Sequence, residues 1–451
     1  MLNMKKLILI FLFWIGLVIN AKAGDKFNTA DYIHALKQVT DVMVNDVISP
    51  VAAGRYYAYI TLTASETALQ FKKENTFSFA SKLNGFNGVV INQQIVKQAD
   101  YSFSVIFSLY KISERLLPSG YLMTKYLDSL SAIALQKGIT PGEIEKSRQL
   151  VNDIITQIID YVKKDHFSQL SGLKKYTPLP GDANWRPTAP GYMAALEPYW
   201  NTLRTFILDS AKQFIPAPAV AFDTLPASAF YRQMKEVYQT AKKLTAKQKA
   251  IADFWDCNPF ALQQIGHVEF GLKKISPGGH WIGITGIACK QANKGLLQTV
   301  FIHTVIAVTI ADAFISCWDE KYRSNRIRPV TAIKKWINPY WKPYLQTPPF
   351  PEYTSGHSVV STAAAVVLTK IFGNKFTYTD NTENEFGLPS RKFTSFLQAA
   401  GEAAISRFYG GIHYKDAIEN GTVQGKQIGL FAVVKFKDIL GRKILKEKKI
   451  R

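Results

Sequence analysis

The sequence has little cysteine, a shortage of acidic residues and few strand-like patterns. Its three cysteines, Cys257, Cys289 and Cys317, form no CxxC pair or His/Cys cluster, so the sequence gives no signal for a zinc site. One pair could form a disulfide in an oxidising compartment, and buried thiols are the alternative. Runs that alternate apolar and polar residues are rare, which argues against a large β-sheet.

Acidic residues are outnumbered, with 34 Asp and Glu against 55 Lys and Arg and a formal net charge of +21. Such a charge suits nucleic acid, an anionic membrane or small anions as partners. No zinc finger or RNP motif is present, so we predict no nucleic-acid partner. Much of the excess lies in Lys242–Lys249 and in the tail from Lys435, where it favours solubility. The hydrophobic fraction of 47% is that of a globular protein.

The N-terminus has the pattern of a secretory signal peptide. Lys5 and Lys6 precede an apolar run over residues 7–19, and Ala21-Lys22-Ala23 supplies small residues for cleavage. The run is shorter than the roughly 18 residues that a membrane span needs. We expect a mature chain from Gly24 that is exported to the periplasm or secreted and has no stable membrane span.

Most of the mature chain has helical periodicity. Ser49-Pro50 and Thr140–Glu143 have the residues of helix N-termini. A helix is also expected through Tyr199 and Phe206. The most apolar stretch, 295–311, predicts a central bundle helix in which His303 is a hydrogen-bonded core residue.

Proline- and glycine-rich segments at 169–191 and 216–226 interrupt this pattern and divide the chain. We predict an all-α fold of two packed helical bundles, with the active site in the C-terminal bundle. The expected division is a signal peptide over 1–23, an N-terminal bundle over 24–228 and a C-terminal bundle over 229–451.

Three short polar motifs lie between apolar helical segments in the second half of the chain. The first runs from Lys321 to Arg328-Pro329, the second is Thr354-Ser355-Gly356-His357, and the third joins Ser406-Arg407 to His413. They supply guanidinium groups, an ammonium, a hydroxyl, helix-start N–H groups and two imidazoles. This set suits a tetrahedral oxyanion whose charge is neutralised while one oxygen is exchanged.

Each motif alone also has an ordinary structural explanation. Ser355 suits a helix N-cap, and Gly410-Gly411 suits the end of a helix. Lys321 and Arg328 lie seven residues apart, which is two turns on one face if the segment is helical. Only the three motifs together, in this order, point to a site.

In this order the motifs resemble the signature of the vanadium-dependent haloperoxidases and the type 2 phosphatidic acid phosphatases. The resemblance covers the chain from Lys321 onward. The long chain without several apolar spans is more similar to the haloperoxidase branch. The segment Phe350-Pro-Glu-Tyr353 is also similar to that branch, which implies that Phe350 lies beside the halide site.

The resemblance implies that the equatorial oxygens of vanadate or phosphate are held by Lys321, Arg328, Ser355, Gly356 and Arg407. His413 would be the axial ligand of vanadium or the nucleophile toward phosphorus, and His357 the acid–base group opposite it, with Arg407 as a further catalytic group. The implied function is an exported vanadate-dependent haloperoxidase that oxidises chloride or bromide with peroxide. The alternatives are an acid phosphatase that uses a phosphohistidine and no cofactor, and a non-catalytic oxyanion-binding protein.

The sequence departs from the family pattern at two positions. Thr354 stands where the family has Pro, and both residues suit a helix start. The family's Asp, four residues after the last histidine, is Ala417 here, and Asp416 comes one position earlier. We predict that Asp416 or Glu419 contacts His413 and fixes its tautomer.

Overall fold

The computed structural model describes residues 25–72, 79–259, 261–265, 268–271 and 273–440. The predicted signal peptide lies outside these residues, so export stays a prediction. The α-helices are α1 (Thr29–Asn45), α2 (Pro50–Gln70), α3 (Gln93–Val96), α4 (Tyr101–Leu116), α5 (Thr124–Gln136), α6 (Pro141–Val162), α7 (Ala229–Lys242), α8 (Ala246–Phe254), α9 (Pro277–Gln291), α10 (Leu296–Ser324), α11 (Pro329–Trp336), α12 (Gly356–Phe372), α13 (Phe396–Tyr409), α14 (Lys415–Lys435) and α15 (Lys437–Leu440).

The all-α prediction is confirmed, with two small antiparallel hairpins added to the helices. One hairpin pairs β1 (Leu262–Ile265) with β2 (Val268–Gly271), and the other pairs β3 (Tyr378–Asp380) with β4 (Arg391–Phe393). The predicted helix starts form as expected. Ser49 caps α2, and Thr140 and Glu143 form a capping box at the start of α6.

One large hydrophobic core joins the two halves of the chain. Its buried side chains extend from Phe27 to Leu440. Helix α10 lies at its centre and packs against α2 on one side and α12 on the other. The core therefore crosses the predicted division at residue 228, and the division into two units stays a prediction.

Helix α10 is the predicted central helix. It is the one helix in the described residues that is long and apolar enough to cross a membrane, and its apolar window is wholly buried within the protein. The His303 ring Nδ1 lies 2.8 Å from the Thr299 carbonyl oxygen, and the side chain is 1% exposed. The prediction that His303 is a hydrogen-bonded core residue is confirmed.

The predicted helix through Tyr199 and Phe206 does not form. The backbone N–H groups of Phe206, Ile207 and Leu208 donate to the buried carboxylate of Asp312, at 2.7, 2.7 and 2.9 Å. A helix would direct these N–H groups to its own carbonyls. A buried carboxylate is costly without hydrogen-bond donors, and the backbone N–H groups of this loop donate to Asp312.

The three cysteines are buried thiols, which confirms that alternative over a disulfide.

Three glycines allow α14 to pack closely against α12. A Cβ atom at Gly425 would lie 2.2 Å from the Val359 carbonyl oxygen, and one at Gly421 would lie 3.1 Å from the Ser355 carbonyl oxygen. A Cβ atom at Gly429 would lie 2.8 Å from the Ala363 carbonyl oxygen. Any larger residue would push the helices apart. These contacts fix the start of α12, where the second polar motif lies.

The buried carboxyl of Glu66 on α2 predicts a pH dependence of stability. Its side chain is 3% exposed, its Oε1 has no hydrogen-bond partner among the described residues, and burial raises its pKa from 4.5 to about 8. Because the folded state holds this proton more tightly than the unfolded state, protonated Glu66 contributes to stability. The contribution is complete below pH 4.5, the pKa in the unfolded state. That contribution falls by about 1.4 kcal/mol per pH unit until the pH passes the folded pKa.

We therefore expect the free energy of unfolding to fall between pH 5 and pH 8 in the wild type and to fall less in Glu66→Gln. Urea unfolding at several pH values measures both slopes. Replacing Glu145, which is exposed on α6, with Gln is the control. Equal slopes in the wild type and Glu66→Gln would show that Glu66 does not titrate as described.

Candidate active site

The second and third polar motifs meet at one cavity, and Arg328 of the first motif contacts His413 there. Gly356, His357, Arg407 and His413 line it, and Phe350 forms part of its apolar wall. The space that water centres can occupy is about 30 Å³. A single water needs about 10–15 Å³ on this measure, so the cavity suits a small ligand. Phe350 therefore lies beside His413 and Arg407, and its place at a halide site stays a prediction.

His413 presents one ring nitrogen to the site and uses the other for support. It follows the turn at Gly411, where φ is 74°, and precedes α14. Its Nδ1 lies 2.8 Å from the Glu352 carboxylate, to which Nδ1–H donates. Its Nε2 lies 3.1 Å from Nη1 of Arg328 and accepts a hydrogen bond from it. Burial lowers the pKa of His413 well below its usual value, and Arg328 lowers it further, so the ring is a neutral electron-pair donor.

The carboxylate that holds His413 is Glu352, so the prediction of Asp416 or Glu419 is wrong. Asp416 accepts from Arg326 at 2.7 Å and from the Val220 N–H at 3.0 Å. The same Nη1 of Arg326 lies 3.3 Å from Glu352. Asp416 therefore reaches His413 only through Arg326 and Glu352.

Sequence reasoning missed Glu352 because it lies 61 positions before His413. The sequence did offer one signal: Glu352 lies in the segment Phe350–Tyr353, directly before the second polar motif.

Arg328 reaches the site from a loop and not from a helix face shared with Lys321. Helix α10 ends at Ser324, and Asn325 adopts a left-handed conformation with φ of 48°. The Arg328 guanidinium donates to the carbonyls of Phe350 at 2.8 Å and Ile412 at 2.9 Å. Its buried Nη2 has no partner among the described residues, and burial lowers its pKa to about 10.

Lys321 lies next to the site, but its ammonium donates hydrogen bonds to backbone carbonyls. Nζ donates to the carbonyls of Pro351, Glu352 and Thr354. Burial lowers its pKa to about 8. Lys321 thus holds the loop that carries Glu352, and its direct contact with an oxyanion stays a prediction.

Arg407 and His357 both offer a buried nitrogen without a partner among the described residues. Arg407 is 1% exposed and donates from Nη1 to the Trp255 carbonyl at 2.8 Å, while its Nε is unpaired. The unpaired atom of His357 is Nε2. Burial lowers the pKa of His357 well below its usual value, and the charge of Arg407 lowers it further. His357 is therefore neutral near pH 7 and free to accept a proton.

The start of α12 adds backbone donors to this set. Ser355 is the N-cap, and its Oγ accepts a long hydrogen bond of 3.4 Å from the Ser358 N–H. The first-turn N–H groups of Gly356 and His357 have no acceptor within the helix. A Cβ atom at Gly356 would lie an ordinary 3.7 Å from the Trp318 ring. Packing within the protein therefore does not require glycine here, and backbone access for a ligand explains it.

These groups fit a small oxyanion such as vanadate or phosphate. Arg328 Nη2, Arg407 Nε and His357 Nε2 are buried nitrogen atoms without partners in the described part of the chain. Buried polar atoms are rarely left unpaired, and two unpaired guanidinium nitrogens beside a helix start call for negative charge. Neutral His413 Nε2 would add one good metal ligand in place of its hydrogen bond from Arg328.

Fold and site together define a helical-bundle protein with a small cavity lined by two histidines and an arginine. A family model for the second helical-bundle domain of VCPO matches residues 301–442. A solved structure described as the first bacterial vanadium-dependent iodoperoxidase is 43% identical and covers 90% of this chain and 96% of that one, with a TM-score of 0.84. The chain belongs to the vanadium-dependent haloperoxidase family, and the protein is a haloperoxidase.

More distant structures share the fold. A holo-type bacterial vanadium-dependent chloroperoxidase is 15% identical, covers 87% of this chain and 93% of that one, and has a TM-score of 0.67. An apo-type bacterial chloroperoxidase is 16% identical, covers 87% and 95%, and has a TM-score of 0.66. Among curated proteins there is no match.

Proposed function

We propose that this exported protein oxidises halide with hydrogen peroxide at a vanadate ion bound to His413. The observation that carries the proposal is the state of the His413 ring: Glu352 takes Nδ1–H, and the Nε2 lone pair lies among buried cationic groups. A carboxylate–histidine pair of this kind orients a metal-binding imidazole and raises its basicity. Export is inferred from the signal pattern over residues 1–23.

The oxyanion would be held by Arg328, Arg407, Ser355 and the backbone of Gly356. Lys321 would also bind it if Nζ gave up one of its hydrogen bonds to a backbone carbonyl. When bound, vanadate supplies a Lewis acid that polarises the O–O bond of peroxide without a change of oxidation state. The guanidinium groups of Arg328 and Arg407 would stabilise the negative charge of the bound oxyanion in a site with little water.

His357 accepts the proton of hydrogen peroxide at Nε2. That atom is buried and unpaired in the described structure, and the ring is neutral near pH 7. The halide would approach along Phe350, whose ring lies 5.0 Å from both Lys321 Nζ and the Arg328 guanidinium carbon. These two cations lower the cost of bringing an anion into an apolar pocket.

A phosphatase activity is the second candidate, and Glu352 is the observation that favours it. A phosphohistidine mechanism needs an activated histidine, and position 417 holds Ala where the family has the Asp that would activate it. Glu352 supplies the carboxylate at 2.8 Å instead. The same site could therefore bind phosphate and transfer it to Nε2 of His413.

One purified sample separates these functions. With vanadate and peroxide, we expect halide-dependent halogenation of a dione, with iodide tested first because the 43% identical relative is an iodoperoxidase. Bromide and chloride follow in the same assay. Turnover of an aryl phosphate without vanadate, and no halogenation with it, would support the phosphatase. Binding of vanadate with neither activity would contradict both.

A further inference from the structure

A second cluster of metal-binding side chains adjoins the cavity that His413 lines. Cys257, which lines the cavity, meets His280 and Glu383, and all three side chains are buried. Neither the three polar motifs nor the proposed reaction uses these residues. They come from positions far apart in the chain, which is why the sequence gave no zinc signal.

The donor atoms form a triangle of the size that one zinc ion requires. His280 Nδ1 lies 3.0 Å from Glu383 Oε1 and 3.4 Å from Cys257 Sγ, and Sγ lies 3.8 Å from Oε1. Tetrahedral zinc with bonds of roughly 2.0–2.3 Å places such donors about 3.3, 3.6 and 3.5 Å apart. Each edge needs to change by only about 0.3 Å. The side chains are thus arranged for an ion before one is bound.

The outer contacts of His280 also match those of a metal ligand. Its Nε2 lies 2.9 Å from the Asp380 carboxylate, whose other oxygen accepts from the N–H and hydroxyl of Thr382. A ligating histidine almost always donates its second ring N–H to such a carboxylate. The ring also stacks on Trp255, with centroids 4.6 Å apart, so its orientation is fixed.

We propose that Cys257, His280 and Glu383 bind one Zn²⁺ ion, with Asp380 orienting the histidine. Thiolate, imidazole and carboxylate together suit zinc, and a water from the cavity would complete four-coordination. Zinc is also redox-inert, so it can lie next to a peroxide-using site without decomposing peroxide. Binding releases two protons to solvent, one from the Cys257 thiol and one from Nδ1 of His280, and no electron is transferred.

The ion would hold the segment that supports the proposed catalytic groups. Trp255 precedes Cys257 by two residues, and its carbonyl accepts from Arg407. The side chain of His357 interacts with the backbone of Trp255 as well. This function is separate from vanadate binding, so the inference stands whether or not the proposed reaction is correct.

The alternative is a metal-free ion cluster. Burial lowers the pKa of His280, but the charge of Asp380 outweighs this effect and raises the pKa well above its usual value. Without zinc, an imidazolium would therefore lie between two carboxylates. Burial would also keep Cys257 as a thiol, since its pKa is raised to about 11.

The test is the zinc content of untagged, full-length protein after dialysis against zinc sulfate and then against a mild chelator. We expect about one equivalent of zinc per chain in the wild type, and at least tenfold less in Cys257→Ser. Cys289→Ser is the matched control, because Cys289 is equally buried but lies outside the cluster. This control should keep its zinc.

Cobalt substitution of the wild type gives a second measurement that depends on no variant. A thiolate-to-cobalt charge-transfer band in the near ultraviolet is expected, since Cys257 would be a ligand. Less than a tenth of an equivalent of zinc in the wild type would overturn the proposal. So would a Cys257→Ser protein that keeps one equivalent, or a cobalt spectrum without the thiolate band.

Discussion

Replacing His413 with alanine is expected to lower halide oxidation by about a thousandfold or more. The variant loses the imidazole Nε2 that lies 3.1 Å from Arg328 Nη1 beside the cavity, which is the proposed vanadate ligand. Removing a group that acts directly in the transition state costs at least the 10²–10³-fold of one lost oxyanion donor. The measurement is kcat/KM for iodide at saturating peroxide and vanadate, together with vanadium bound per chain.

His303→Ala is the control for this prediction. His303 is as buried as His413, but it bonds the Thr299 carbonyl within α10. Its loss should reduce the free energy of unfolding by about 2–4 kcal/mol through the cavity left behind, with activity retained by the folded protein. A fully active His413→Ala protein would refute the assignment of the vanadate ligand.

Replacing Glu352 with glutamine is expected to weaken vanadate binding by about 10–100-fold. The amide keeps the shape of the carboxylate but loses its charge, so the His413 ring becomes less basic and its tautomer less fixed. Arg326, 3.3 Å from Glu352, also loses one of its two carboxylate partners. The measurement is the vanadate Kd, obtained by restoring activity to vanadate-free protein.

Asp416→Asn provides the matched comparison. Asp416 contacts Arg326 but not His413, so its change should alter the vanadate Kd only a few-fold. An Asp416→Asn protein impaired as strongly as Glu352→Gln would mean that the charge of the whole network matters and not the contact with His413. Circular dichroism should show both variants folded.

Local pattern was enough to predict most of the helical framework. The residues at Ser49 and Thr140 determine where α2 and α6 begin, because an N-cap depends only on neighbours within one turn. The apolar run of α10 predicted a central helix, because only the centre of a helical bundle buries a helix on all sides. The predicted helix near Phe206 failed because a distant carboxylate, Asp312, took its N–H groups.

The structure places His357, Arg407 and His413, three of the predicted site residues, around one cavity, and their roles there stay a prediction. The order of the three motifs identified those residues through a family resemblance. Spacing alone put Lys321 and Arg328 on one helix face, yet the left-handed turn at Asn325 separates them. A single residue with φ of 48° is hard to foresee from its neighbours.

The sequence by itself determined the all-α class, the helix starts, the burial of His303 and the set of residues for an oxyanion site. Only the tertiary structure decided that Glu352 holds His413, that Arg326 joins Glu352 to Asp416, and that Cys257 meets His280 and Glu383. The physical reason is distance along the chain. Caps and apolar periodicity depend on neighbours within a few residues, whereas partners for a buried charge are chosen by the packing of whole helices.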